Sequence, residues 1–275
     1  MASRAAGQSP SRLQGPSGRI WPLWGRRLRP WLVPLLLVAL LEAHARTLGR
    51  GSDALAAPSA ALWAGGPRLR SGELLAATAF TLGSAAAGLA LGAGCGAVAG
   101  LALGLMPRLS RASFLSIEMF RPLPSVALVP LAMLVFGFGL RMEMSVVAFA
   151  TFWPMLVLAQ AAVRQVEPGL IEVARALGLT PAARLTQIVL PASVPRLFVA
   201  LRLCVAIALV VAVTVEIAAN PNGMGYAMMI AQQSLDPALM LAWLGWVGAV
   251  GFAINAAALA LQRTVARRMG AEGGA

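Results

Sequence analysis

The sequence predicts an all-α membrane protein with six transmembrane helices. Three observations carry this prediction. Hydrophobic residues make up 59% of the 275 and the mean hydropathy is +0.78, against the roughly 45–50% apolar content of a soluble domain. Apolar runs long enough to cross a hydrocarbon core of about 30 Å recur along the chain. The net charge of +12 comes from 22 basic residues, all arginine, and they gather in the links between apolar runs, as the positive-inside rule requires. A basic chain can also signal a nucleic-acid partner, but this distribution follows membrane topology. Cys95 and Cys204 lie in separate apolar runs and His44 is the single histidine. No disulfide framework, metal site or catalytic set is therefore expected.

Residues 1–30 are rich in Arg, Gly, Ser and Pro, and read as a disordered basic cytoplasmic tail. Residues 31–48 form the first transmembrane helix. Its apolar run, Trp31 to Leu41, is short, and Ala43-His44-Ala45 resembles a signal-peptidase site. The many later spans favour an uncleaved anchor. Residues 49–72 form an extracytoplasmic loop with a short helix around 59–64.

Glu73 opens an apolar run that gives a span at about 74–105. At 1.5 Å per residue this helix exceeds the membrane, so it must tilt, kink or protrude. Gly88, Gly92, Gly96, Gly100 and Gly104 recur every fourth residue, which makes one smooth face suited to tight helix packing. After Pro107, the residues Arg108, Arg111, Glu118 and Arg121 mark a cytoplasmic link. The third span, about 123–140, is bent at Pro130. Arg141 and Glu143 form a short external turn. The fourth span, about 144–163, is interrupted by Pro154, and Arg164 returns the chain to the cytoplasm.

Residues 168–191 form a polar island between spans. Pro168 suits a first helical turn. Leu170, Ala174 and Leu177 share one apolar face, with Glu172 and Arg175 on others. Gly178 is a left-handed helix stop. Thr180 caps a second helix with Pro181 at its first position, and Pro191 and Pro195 end that helix. The segment therefore reads as helix, glycine turn, helix.

The fifth span, about 197–219, carries Arg202 near its cytoplasmic end, where it can snorkel. Glu216 lies near the outer end, as either an interfacial residue or part of a polar path. The turn-rich stretch 220–226 is external, and 227–235 is too short to span, so it is re-entrant or interfacial. The sixth span covers about 239–261, and 263–275 is a cytoplasmic tail. On this topology sixteen arginines lie inside and five outside, which puts both termini in the cytoplasm.

The run Glu172-Val173-Ala174, Gly178 and, nine residues later, Ile188-x-Leu190-Pro191 resembles the "EAA" loop of bacterial ABC importer permeases. Val173 stands where that motif has a second alanine. The likeness covers most of residues 70–265. Pro122-x-Pro124, Leu128-x-Pro130-Leu131, Phe136-Gly137, Val215-Glu216 and Gly223-x-Gly225-Tyr226 are similar to the nitrate/sulfonate/taurine branch.

The resemblance implies a type I importer permease fold over residues 73–262. It also implies a second permease subunit, as homodimer or heterodimer, a cytoplasmic ATPase dimer, an extracytoplasmic solute-binding protein, and placement in the bacterial inner membrane. Residues 168–191 become the ATPase-coupling loop, carried by Glu172, Ala174, Arg175, Gly178, Thr180, Pro181, Ile188, Leu190 and Pro191. Glu216 and Pro130 are candidates for the pathway or its gate. With no lysine, the chain cannot form a phosphate loop, so ATP and Mg belong to the partner ATPase. A secondary transporter would carry internal repeats and polar helix breaks near the midplane. An intramembrane enzyme would need a polar catalytic set at depth. Neither pattern is read from the sequence.

Overall fold

The fold is organised around one helix pair made possible by glycine. The computed structural model describes residues 23–47 and 56–268; of the disordered tail expected at 1–30, residues 1–22 lie outside them, as do 48–55 and 269–275, whereas 23–30 are helical. Every element among the described residues is helical: α1 (Leu23–Thr47), α2 (Pro58–Arg70), α3 (Glu73–Leu105), α4 (Pro107–Phe120), α5 (Val129–Phe136), α6 (Leu140–Arg164), α7 (Pro168–Ala176), α8 (Pro181–Arg184), α9 (Leu190–Ala218), α10 (Gly223–Gln233) and α11 (Pro237–Arg268).

Helix α3 runs unbroken for 33 residues and lies along α6. All five glycines of the four-residue register face α6. A Cβ at Gly88 would meet the Val147 side chain at 2.6 Å, one at Gly96 the Phe152 carbonyl at 2.5 Å, and one at Gly104 the Val163 Cβ at 2.7 Å. Lipid supplies no hydrophobic drive between helices, so close backbone approach and dispersion hold such a pair. Helix α9 closes the core against both: Met142, Val146, Val147, Ala208, Ala212 and Val215 form one buried cluster with Ala85 of α3. Helices α10 and α11 seal the other flank around Met224 and Trp243.

Among the described residues, four helical runs are long and apolar enough to cross a membrane: Glu73–Leu105, Leu140–Arg164, Ala182–Ala218 and Pro237–Arg267. A further apolar helix pair, Pro107–Phe120 and Ser125–Phe136, is bent at the break between them. The expected third span at 123–140 is instead a 3₁₀ turn, Ser125–Leu128, and the eight-residue α5. Together these rise only about 20 Å, too little to span. The stretch expected to be a cytoplasmic link is helix α4, bent by 80° from the segment that follows. Pro130 does not bend a span. It sits in the first turn of α5, where its missing N–H costs nothing. The bend falls at Arg121–Pro124, because proline restricts the residue before it to extended backbone.

Three further expectations are corrected. Glu143 is not in an external turn. The turn is Gly137–Gly139, with φ of 72° and 108° at its two glycines, and Glu143 lies in the first turn of α6, fully buried. Pro154 does not interrupt α6, which is helical throughout. Pro191 and Pro195 do not stop the helix begun at Pro181. A π-helical turn, Leu185–Val189, joins α8 to α9 and keeps the run continuous. Proline cannot donate to the ladder, and the local widening of a π turn accommodates Pro191 immediately after it.

The helix in the 49–72 loop is longer than expected, Pro58–Arg70. It carries the α1 contact: Ser59 donates from both its amide and hydroxyl to Glu42 at 2.9 and 2.7 Å. In α1 the apolar run stops before Glu42, His44 and Arg46. Helix α10 is packed inside the bundle, with Met224, Gly225 and Ala231 buried, which fits a re-entrant segment and not an interfacial one.

Candidate functional site

Two polar features stand at opposite ends of α6 and α9. The first is the hairpin at residues 168–191. Helix α7 ends in a full Schellman cap: the Leu179 amide donates to the Ala174 carbonyl and the Gly178 amide to the Arg175 carbonyl, both at 3.0 Å, with Gly178 at φ 66°. Only glycine takes that conformation freely. The Ala183 amide donates to Thr180 Oγ1 at 3.2 Å, the N-cap expected from the sequence.

The hairpin is anchored by Ile171 and Leu185, packed on a cluster of Val163, Val166 and Val189 with Leu101 of α3. Ala174 is fully buried. The expected apolar face Leu170–Ala174–Leu177 is therefore split. Ala174 points inward, while Leu170, Val173 and Leu177 are 43%, 55% and 70% exposed. They form an apolar stripe on the outer surface, bordered by exposed Glu172 and Arg175. Ile188 is partly buried, and Leu190 and Pro191 are exposed at the root of α9. Beneath the hairpin, buried Ser193 donates to the Val189 carbonyl at 2.7 Å.

The second feature is a buried cluster that sequence reasoning missed, except for Glu216. Glu143 of α6 and Glu216 of α9 lie side by side, both fully buried. Ser84 of α3 donates to Glu143 Oε1, and Asn220 Nδ2 donates to Glu143 Oε2 at 2.5 Å. The Gly225 amide, in the first turn of α10, donates to Glu216 Oε2 at 2.8 Å. The Met224 amide donates to Thr81 Oγ1 at 3.0 Å. Five segments thus converge on two carboxyl groups, and burial of such groups is tolerable only with donors of this kind.

Gly223 and Gly225 are part of the same arrangement. At φ 94° Gly223 brings the chain so close that a Cβ would collide with the Glu216 carboxyl group. A Cβ at Gly225 would lie 2.8 Å from the Glu216 Cβ. The Gly-x-Gly-Tyr sequence is therefore a backbone seat for Glu216. Pro130 is exposed on α5, whereas Glu216 is sealed, so these two candidates occupy different environments. Arg202 Nε donates to Asn255 Oδ1 at 3.2 Å and ties α9 to α11. No cluster of three metal-ligating side chains occurs among the described residues.

Residues 92–271 match the family of binding-protein-dependent transport system inner membrane components. The chain belongs to that family. It is accordingly a transport permease of the inner membrane, and the matched segment contains α6, the hairpin, α9 and α10. A protein assigned to aliphatic sulfonates transport, SsuC of Bacillus subtilis, is 29% identical over 76% of this chain and 77% of its own. The taurine transport system permease TauC of Escherichia coli is 29% identical over 60% of each chain. The bicarbonate transport system permease CmpB of Synechococcus elongatus is 28% identical over 70% and 69%.

Among solved structures, the inward-facing MetNI methionine ABC transporter superposes with a TM-score of 0.57 at 20% identity, over 68% of this chain and 91% of that one. An amino acid ABC transporter gives 0.56 at 19% identity, over 74% and 97%. The fold is that seen in these ABC transporters, and permeases named for aliphatic sulfonates and taurine are among the relatives of the chain.

Proposed function

We propose that residues 168–191 are the coupling loop through which a separate ATPase drives this permease, and that the transported solute is a small anion. One observation carries the coupling role. The hairpin is rigidly capped at both helix ends, yet presents Leu170, Val173 and Leu177 to solvent between Glu172 and Arg175. An ordered apolar stripe with a charged rim suits a protein partner. Ala174 and Gly178 hold the hairpin to its base, Thr180 and Pro181 start its second arm, and Ile188, Leu190 and Pro191 join that arm to α9. A displacement of the knob therefore passes into α6 and α9.

The partners in this reading are a cytoplasmic ATPase dimer that binds ATP and Mg, a second permease subunit, identical or related, and an extracytoplasmic solute-binding protein. Helix α1 is the first of six spans and both termini are cytoplasmic. The relatives named for aliphatic sulfonates, taurine and bicarbonate share a small anionic solute, which supports that class. Nitrate belongs to the same range. Pro130 lies on the exposed, pathway side of α5, and Glu216 belongs to the closed outer end, as a gate.

The test is co-expression with an ABC ATPase and a solute-binding protein from the same genome, followed by reconstitution. ATP-dependent uptake of taurine or ethanesulfonate is expected, and Glu172→Arg and Gly178→Pro should abolish both ATPase capture and uptake. If both variants retain full capture and uptake, the coupling assignment is wrong.

A further inference from the structure

We infer that the bend between α4 and α5 forms an anion station at the centre of the membrane, with Arg121 as its cation. The inference deepens the anion-importer reading above and rests on it.

Two contacts fix the depth of α4. At its start, Ser110 accepts hydrogen bonds from Gln160 Nε2 at 2.7 Å and from Arg164, at the hairpin end of α6. At its end, Phe120 stacks on Trp153, with ring centroids 6.1 Å apart and planes at 4°. Trp153 is the fourteenth residue of the 25 in α6, a helix about 37 Å long. Helix α4 therefore climbs from the cytoplasmic end to mid-depth, and the chain turns there by 80°.

The residue after Phe120 is Arg121. Its guanidinium lies 3.5 Å from the Glu118 carboxylate, and the two side chains are 54% and 50% exposed. An ionised pair open to hydrocarbon at that depth is strongly disfavoured, so such residues face a water-filled cavity or the bundle interior. Here the pair is open. Ser110 and Phe120 of α4 meet α6. Arg111, Glu118 and Arg121 share a different flank, seven and then three residues apart, with Phe114 between them. That flank forms a charged line from the cytoplasmic end to the bend. Arg202, the other arginine in the span interior, is held by Asn255 of another helix. The partner of Arg121 is its own-helix neighbour at a long distance, which an incoming anion can replace. A guanidinium presents paired N–H donors that match the oxygens of a sulfonate or carboxylate.

The test is thiol labelling, which needs neither solute nor ATP. In the assembled transporter, in inside-out membrane vesicles, Cys95→Ser and Cys204→Ala provide the background. Phe114→Cys reports on the charged flank and Met119→Cys on the opposite side. The probes are the anionic sulfonatoethyl and the cationic trimethylammonioethyl methanethiosulfonates. Phe114→Cys should react with the anionic reagent at least about fivefold faster than with the cationic one, after normalisation to a free thiol, as a focused positive field dictates.

Arg121→Gln should remove the preference, Arg121→Lys should keep it, and Met119→Cys should not react. An unreactive Phe114→Cys, or a rate ratio indifferent to Arg121→Gln, overturns the inference. If the preference is found but the wild-type transporter, reconstituted with its binding protein, takes up neither taurine nor ethanesulfonate, the station stands and the assigned solute class falls.

Discussion

Replacing Gly96 by alanine tests whether backbone approach holds α3 to α6. The added Cβ would sit 2.5 Å from the Phe152 carbonyl oxygen, 3.1 Å from the Met155 Cβ and 3.2 Å from the Leu156 amide nitrogen. Two of these three are backbone atoms, so no side-chain rotation relieves them. Restoring an ordinary contact of about 3.4 Å requires the helices to part by about 0.9 Å at that level, against an interior packed to crystal-like density. Overpacking of this kind costs about 1–3 kcal/mol, and alanine returns about 0.8–1 kcal/mol of helix propensity. A net loss of up to about 2 kcal/mol follows, centred on about 1 kcal/mol, which lowers the apparent Tm by a few degrees for a chain of this size.

Gly94→Ala is the matched control, because nothing lies within 4 Å of its Cβ; it should leave Tm unchanged or raise it. Gly100→Ala should behave like Gly96→Ala, since its Cβ would lie 2.7 Å from the Ala159 Cβ. One separation of the helices relieves both sites, so the double variant should lose less than the sum of the singles. The assay is thermal unfolding of the detergent-solubilised protein. Equal shifts for Gly94→Ala and Gly96→Ala, or strict additivity at 96 and 100, would refute the seam as the source of the stability.

Gly178→Ala has open space but a φ of 66°, so it should cost about 1–2 kcal/mol of local stability. Gly178→Asn should cost less, and trypsin cleavage at Arg175 in membranes would rank wild type, Asn and Ala in that order. Thr180→Ala should lower the protection of the Ala183 amide by about 1 kcal/mol in hydrogen exchange, the usual worth of an N-cap, without changing the rest of the bundle. Ser84→Ala removes a donor from buried Glu143 and should destabilise the protein by about 1–3 kcal/mol. Glu143→Gln in the Ser84→Ala background should recover part of that loss, because the uncharged amide needs less solvation; thermal unfolding of both variants checks it.

The glycine seam and the capped hairpin at 168–191 were legible in the sequence because both rest on local rules. Five glycines at a four-residue spacing make a face whatever the partner, and Thr180-Pro181 and Gly178 write their own caps. The bend between α4 and α5 was hidden because Pro122, Pro124 and Pro130 offer several breakpoints within nine residues. Only the packing of Phe120 on Trp153 selects one of them. In the inference drawn above, that choice also puts Arg121 at mid-depth, which a count of arginines per loop cannot detect. Glu143 was misplaced for a related reason. Reading the third span through to residue 140 forced the next residues into a turn, whereas the true turn is at Gly137–Gly139 and α6 begins before Glu143. Its partners Ser84 and Asn220 are 59 and 77 residues away, so no local pattern could join them.

The same two helices carry both polar ends of the molecule. Glu143 and Glu216 lie near the ends of α6 and α9 far from the hairpin, while Arg164 and Leu190 mark the hairpin ends of these helices, about 32 and 39 Å away at 1.5 Å per residue. Helix α6 is fixed to α3 by a glycine seam with no slack, so it can tilt with α3 but cannot slide easily along it. Helix α9 is anchored differently. It has a π turn at its base, where the hydrogen-bond ladder is locally widened, and its far end is tied through Glu216 to the first turn of α10. In the proposed mechanism a pull on the hairpin should therefore reach α9 through its base and load the contacts among Glu216, Glu143 and the Asn220–Gly225 turn. The bundle is rigid along its length and held at the far end by a few directional hydrogen bonds, so those bonds are where an alternation between closed and open states would be decided.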